Sequence, residues 1–138
     1  MRSGIALCAA AVVLASASVA AAGGGSARWF FTPGANGASC ELDFGRPGIP
    51  NQAWCVVGPP QVKENKAVGV GLSPAGKLHA CRGVSCLGNA PEHTPTLAYG
   101  KSVSLGPFRC TSLKTGVRCV VARSGHGFLL GAHGYTRV

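Results

Sequence analysis

Apolar and polar residues alternate over short stretches of this chain, and clusters of glycine, proline and asparagine separate those stretches. No segment keeps the apolar period of a helix, about 3.6 residues, over several turns, and valine-rich runs recur instead. The pattern predicts an all-β, hairpin-rich antiparallel domain, either a sandwich or a barrel. The predicted strands cover residues 29–32, 38–44, 53–57, 67–72, 78–81, 96–99, 102–105, 108–112, 116–122, 127–130 and 135–138.

The clearest hairpin is FRCTSLKTGVRCVV, residues 108–121. Placing Cys110 opposite Cys119 leaves residues 113–116 as the loop, with Gly116 free to take a positive φ. Period-two alternation then divides the side chains between two faces of the sheet. The face predicted to meet the core holds Phe108, Cys110, Val117, Cys119 and Val121, and the outer face holds Arg109, Thr111 and Arg118, with Lys114 at the tip.

The first 22 residues have the composition of a secretory signal peptide. Arg2 precedes an apolar run over residues 5–14, and small residues with cleavage-site spacing follow up to Ala22. The apolar run is shorter than the roughly 20 residues that a membrane span needs. We therefore predict a signal peptide over 1–22, a flexible segment over 23–27 and a single domain over 28–138, secreted or attached to the cell wall.

The cysteine count supports this export. Cys8 lies in the predicted signal peptide, which leaves six cysteines in the mature chain, an even number that predicts a disulfide framework. The hairpin pairs Cys110 with Cys119. The first half of the domain loosely repeats this plan, with ASCELDF and AWCVV as candidate partner strands. The predicted pairs are Cys40–Cys55, Cys81–Cys86 and Cys110–Cys119.

The mature chain is basic, with twelve Lys or Arg and four Asp or Glu, which gives +12 − 4 = +8. Such a charge favours anionic partners, although it also serves solubility alone. We expect a monomeric, non-enzymatic binding module without a cofactor or a membrane span, whose partner is an anionic cell-envelope polymer or a secreted protein. Nucleic acid is disfavoured because the aromatic cluster of residues 29–31 is interpreted as a core strand. The predicted contact surface comprises Arg109, Lys114 and Arg118, flanked by His126.

Catalysis is the alternative function. In ARSGHGFLL, His126 stands between two glycines, which is typical of a sharp turn between strands. A small secreted hydrolase, similar to a ribonuclease or a wall-lytic enzyme, would use His126 with a second histidine. Glu41 and Asp43 have a spacing that a glycosidase permits, but we expect them to face basic side chains.

A zinc site is the remaining chemical possibility. His79, Cys81, Cys86 and His93 are residue types that bind zinc. Their spacing is not that of a zinc knuckle, and export favours cysteine oxidation. No metal site is therefore predicted.

Several motifs carry a family resemblance: FFTPGANGASC, LAYGKSVSLGPFRCTS, TGVRC and SGHGF. On these motifs the chain resembles a group of small exported actinobacterial proteins of unknown function. The resemblance spans most of residues 31–135, and the Gly-Pro-Phe-x-Cys, Gly-Val-x-Cys and Gly-His-Gly-Phe steps are its most specific part. It implies secretion and disulfide bonds, and it implies no activity.

Overall fold

The computed structural model describes residues 26–34, 37–57 and 67–138. The predicted signal peptide and residues 23–25 lie outside this described part. The ten strands are β1 (Ser26–Phe31), β2 (Ala38–Phe44), β3 (Gln52–Val57), β4 (Val68–Leu72), β5 (Leu78–Arg82), β6 (Ser102–Leu105), β7 (Phe108–Leu113), β8 (Gly116–Val121), β9 (Gly127–Gly131) and β10 (Gly134–Arg137). The first strand thus begins inside the segment predicted to be flexible.

Two antiparallel five-stranded sheets form the fold, and in both the strands are ordered as they follow one another in the chain. The first sheet has the order β1-β2-β3-β4-β5 and the second has the order β10-β9-β8-β7-β6. Inward-facing residues of both sheets belong to one buried cluster, in which Phe108 and Phe128 are fully buried. The predicted all-β architecture is confirmed, and face-to-face packing of two sheets makes it a sandwich.

The three predicted disulfides are confirmed. Cys40 pairs with Cys55 across β2 and β3, and Cys110 pairs with Cys119 across β7 and β8. Both bonds are buried between the sheets, where the sulfurs of Cys55 and Cys119 are 3.6 Å apart. The third bond joins Cys81 at the end of β5 to a single 3-10 turn, Val84–Cys86.

The predicted β7–β8 hairpin has the expected register but a shorter loop. Thr111 lies opposite Arg118 as predicted, and the pairing extends to Leu113 opposite Gly116, which leaves a two-residue turn. Gly116 has a φ of 146°, and a Cβ there would stand 2.0 Å from the Leu130 carbonyl oxygen. Close approach of β9, more than the turn itself, therefore requires this glycine.

The strand predicted over residues 96–99 is wrong. This stretch belongs to a long crossover from β5 to β6, over residues 83–101, in which Thr96 forms a single parallel bridge to Phe31. The crossover passes over the outer face of the first sheet. Cys86 packs on Val56 there, and further along Gly88 lies beside the Trp29 ring. Tertiary contacts with the sheet hold the segment, together with two backbone hydrogen bonds to Phe31 at the β1 edge. Among the described residues, no helix has the length and apolarity needed to cross a bilayer.

Candidate functional site

Arg109 and Arg118 lie together on the outer face of the second sheet, as predicted. Arg109 is opposite Val120 and Arg118 is opposite Thr111, so the two arginines are diagonal neighbours on β7 and β8. Both side chains are exposed. Thr111 Oγ1 is 2.7 Å from Ser102 Oγ, which adds hydroxyl groups to the same face. The ion pairs of the described residues all involve Arg46, so neither of these arginines is neutralised by a carboxylate there.

The structure separates the other two predicted binding residues. Lys114 is exposed in the β7–β8 turn, whereas His126 follows the far end of β8. A six-residue strand spans roughly 20 Å, so one small ligand cannot contact both residues. An added Cβ at Gly76 would lie 3.3 Å from the His126 Cβ, which places His126 beside the β4–β5 turn of the first sheet. The predicted surface therefore reduces to Arg109 and Arg118, with Lys114 at its margin.

Acidic residues are distributed unevenly along the chain. Residues 93–138 contain six Lys or Arg and no Asp or Glu. This segment includes every strand of the second sheet. The acidic residues of the described part, Glu41, Asp43 and Glu92, belong to the first sheet and to the crossover. Cationic side chains on the second sheet therefore have no acidic neighbour in their own sheet.

His126 has the contacts of a turn residue. Its carbonyl oxygen accepts a hydrogen bond from the Val121 N–H, and its own N–H donates to Ser124 Oγ at 3.3 Å. Gly125 has a φ of 75°, which the turn requires. The hydrogen bonds of residues 67–138 include none from the His126 ring. Ser124 thus orients the backbone and not the imidazole that a nucleophilic mechanism would use.

The four residues considered for zinc are not arranged as a metal site. Cys81 and Cys86 are bonded to each other and offer no thiolate. His79 stacks on Trp54, with ring centroids 5.5 Å apart. His93 lies in the crossover with a φ of 63°, a left-handed value that is uncommon for a residue with a side chain. Three buried sulfurs, of Cys55, Cys110 and Cys119, lie within 4.8 Å of one another, but all three belong to disulfides.

Glu41 and Asp43 form an acidic pair on the outer face of β2 with Arg46 as their partner, which fits the expectation of basic neighbours. Arg46 Nη1 is 3.1 Å from Glu41 Oε1 and also binds Asp43 Oδ1. Burial, followed by the charge and hydrogen bond of Asp43, raises the pKa of Glu41 to about 7, against the lowering effect of Arg46. Both carboxyls bind one guanidinium nitrogen, which is the arrangement of an ion-pair cluster and not of two carboxyls on either side of a glycosidic bond.

A row of residues across the first sheet was not predicted as a site. The strand register places Trp29, Glu41, Trp54, Gly71 and His79 side by side on the outer face, one from each strand. We call this set the tryptophan row. Both tryptophans of the chain are in it. The row could have been derived from the predicted Cys40–Cys55 pairing, because that register also sets Glu41 opposite Trp54.

A cleft of about 660 Å³ adjoins the tryptophan row at the β1 edge. It lies between β1, β6 and the crossover, and its lining includes Arg28, Trp29, His93, Thr94 and Ser102. A volume of this size suits a small ligand. Its walls come from segments that are distant in sequence, so no local sequence motif predicts the cleft.

A family model described as a family of unknown function, DUF6636, matches residues 6–135. The chain belongs to DUF6636. No curated protein and no solved structure matches this DUF6636 chain. Membership agrees with the resemblance to an uncharacterised group and assigns no activity to the site residues.

Proposed function

We propose that this DUF6636 chain is a secreted, non-enzymatic binding module that holds an anionic polymer of the cell envelope on the outer face of its second sheet. The observation that carries the proposal is the charge asymmetry. Six cations and no acids occur from residue 93 onward, and Arg109 and Arg118 are exposed as diagonal neighbours on that face.

The chemistry of the face fits phosphate or carboxylate groups. A guanidinium binds either group through parallel hydrogen bonds, which are stronger than bonds between neutral partners. Two diagonal arginines on neighbouring strands can bind successive charges of one polymer. Hydroxyls of Ser102 and Thr111 provide donors beside them. Because a rigid, disulfide-linked sheet carries these groups, little side-chain ordering is needed beyond the arginines themselves.

Binding of end-labelled inorganic polyphosphate, followed by fluorescence anisotropy, tests the proposal. We expect the dissociation constant to rise about tenfold or more between roughly 50 and 200 mM salt, because a polyanion releases counterions on binding. The double variant Arg109→Ala/Arg118→Ala should weaken binding by about tenfold at fixed salt. Polyglutamate as a second probe separates phosphate from carboxylate preference.

The matched control is Lys77→Ala/Arg82→Ala, which removes the same charge from exposed positions in the β4–β5 turn and at the end of β5. This control should lose only the small part due to net charge. Equal losses in both double variants would show that total charge binds the polymer and that no face is specific. Binding that persists at high salt would contradict the proposal. Cleavage of RNA or peptidoglycan that is lost in folded His126→Ala would favour the hydrolase instead.

A further inference from the structure

The tryptophan row forms an aromatic floor on the outer face of the first sheet. The Trp54 and His79 rings are inclined by only 26° to each other. They stand where Cβ atoms of Gly69 and Gly71 would lie, 2.4 Å from the Trp54 ring and 2.1 Å from the His79 ring. Because these two β4 residues are glycines, the Trp54 and His79 rings can pack directly against the β4 backbone. Glycine inside a strand often marks such a close approach.

The two sides of the floor differ in chemistry. On one side the crossover forms a wall, where Cys86 and Leu87 pack with Trp54 and Gly88 lies beside Trp29. On the other side lie Asp43 and Gln52, which are opposite each other in the next register step of β2 and β3. Arg46 lies there too, bound to Asp43 and to Glu41 of the row. Glu41 stands between the two tryptophans, with 17 % of its side chain exposed.

The dimensions of the row indicate an elongated ligand. Neighbouring strands are about 4.8 Å apart, so Trp29 and Trp54 are separated by roughly 10 Å and the whole row extends roughly 19 Å. These lengths are the spans of a disaccharide and of a short oligosaccharide. At the β1 edge the row continues into the cleft, because Trp29 also lines that cavity.

We propose that the tryptophan row binds a linear, uncharged glycan that lies across the strands of the first sheet. Aromatic rings stack against the C–H faces of sugar rings, and the Glu41 carboxyl and Arg46 guanidinium bond the hydroxyls at their rims. Asp43 is buried and holds the guanidinium in place. This proposal does not depend on polyanion binding by Arg109 and Arg118, which lie on the other sheet.

Charge distinguishes this ligand from the other candidates. Arg46, the cation beside the row, is already paired with Glu41 and the buried Asp43, so it is not free to bind a polyanion. An apolar protein surface would remove water from the exposed parts of Glu41 and Arg46 without offering them hydrogen bonds, which costs free energy. A neutral molecule that is rich in hydroxyls satisfies both the rings and the polar groups.

Tryptophan fluorescence gives a direct test, since both tryptophans of the chain are in the row. The probes are hexamers of β-linked N-acetylglucosamine and of β-linked glucose, titrated in about 0.5 M sodium chloride, where exposed ionic contacts are screened. At least one hexamer should give a saturable emission change and protect the tryptophans from acrylamide quenching. Both indole N–H signals in the nuclear magnetic resonance spectrum of the unmodified protein should shift.

Variants locate the binding. Trp29→Ala and Trp54→Ala should each weaken the affinity by about tenfold, and Glu41→Gln, which keeps the shape of the row, by several-fold. Tyr99→Ala is the matched control, because Tyr99 is an exposed aromatic residue outside the row. It should leave the titration unchanged. Thermal unfolding checks that each variant is folded.

Two results would overturn the proposal. One is the absence of fluorescence and indole shifts with both hexamers in the unmodified protein, a result that no folding defect can explain. The other is a loss in Tyr99→Ala equal to that in the tryptophan variants. High salt should abolish polyphosphate binding and leave glycan binding intact, so failure of one proposal is distinguishable from failure of the other.

Discussion

The two sheets share one plan and differ in what covers them. Each is a five-stranded meander with a buried disulfide between its second and third strands, Cys40–Cys55 in one and Cys110–Cys119 in the other. The crossover covers part of the first sheet, which carries both tryptophans and the Glu41–Asp43 pair. The second sheet has an exposed outer face with Arg109 and Arg118. A common interior thus supports two exteriors with different chemistry.

Equivalent inward-facing positions of the two sheets carry residues of opposite size order. Two residues after the first cysteine of each disulfide, the first sheet pairs Leu42 with Ala53 and the second pairs Ser112 with Val117. Each pair combines a larger and a smaller side chain, with the order of sizes reversed. Dense packing of protein interiors favours such alternation, since two large or two small residues would leave strain or a void.

The largest expected effect comes from breaking the shared disulfide plan. Replacing both cysteines of Cys40–Cys55 or of Cys110–Cys119 by alanine should destabilise the domain by about 3 kcal/mol, because the unfolded chain regains loop entropy. This corresponds to a thermal midpoint lower by roughly 12 °C. The shorter Cys81–Cys86 loop should cost about 2 kcal/mol. A midpoint that reductant does not change would contradict the whole series.

A second prediction concerns Ser112, whose buried hydroxyl has no hydrogen-bond partner. Ser112→Ala should stabilise the domain by about 1 kcal/mol, because an unsatisfied polar group leaves the core. Chemical denaturation measures this change. The control is Ser104→Ala on the neighbouring strand, an exposed position where little change is expected. Destabilisation by Ser112→Ala would mean that the hydroxyl has a partner in solution.

A third prediction concerns Glu41 of the first sheet and the pH dependence of stability. The raised pKa of Glu41, about 7, means that the folded state keeps a proton that the unfolded state releases above about pH 4.5. This contribution to stability is present below that pH and is lost as the pH rises through about 7. Glu41→Gln should remove the loss, so its thermal midpoint should exceed that of the unmodified protein increasingly between roughly pH 5 and 8. Parallel pH profiles would contradict the assignment.

The smallest effects should come from the ends of β8. Lys114→Ala should weaken polyphosphate binding about twofold, since the lysine lies at the margin of the surface formed by Arg109 and Arg118. His126→Ala should change binding less than Lys114→Ala, because the turn places it beside the other sheet. Anisotropy at equal salt compares the two. A larger loss in His126→Ala would restore His126 to the binding surface.

Local patterns in the sequence account for most of the fold. Alternation and turn chemistry predicted ten of the strands to within a few residues. Cysteines facing each other across two hairpins predicted two disulfides, and the two cysteines that remained gave the third. The strand predicted over residues 96–99 failed because that apolar stretch packs against the edge of β1 with a single bridge. Strand propensity is a property of the segment alone, and it does not specify which part of the fold the segment packs against.

The candidate sites also differ in whether local sequence patterns could predict them. The placement of Arg109 and Arg118 on one face followed from a single hairpin, because the register of a hairpin is set by its own turn and disulfide. By itself the sequence determined the ten strands of the two sheets, the cysteine pairs and the placement of Arg109 and Arg118 on one face. The tertiary structure decided that the crossover lies over the first sheet, that Trp29 borders a cleft, and that His126 sits far from Lys114. Those outcomes depend on contacts between segments distant in the chain, and local alternation carries no information about them.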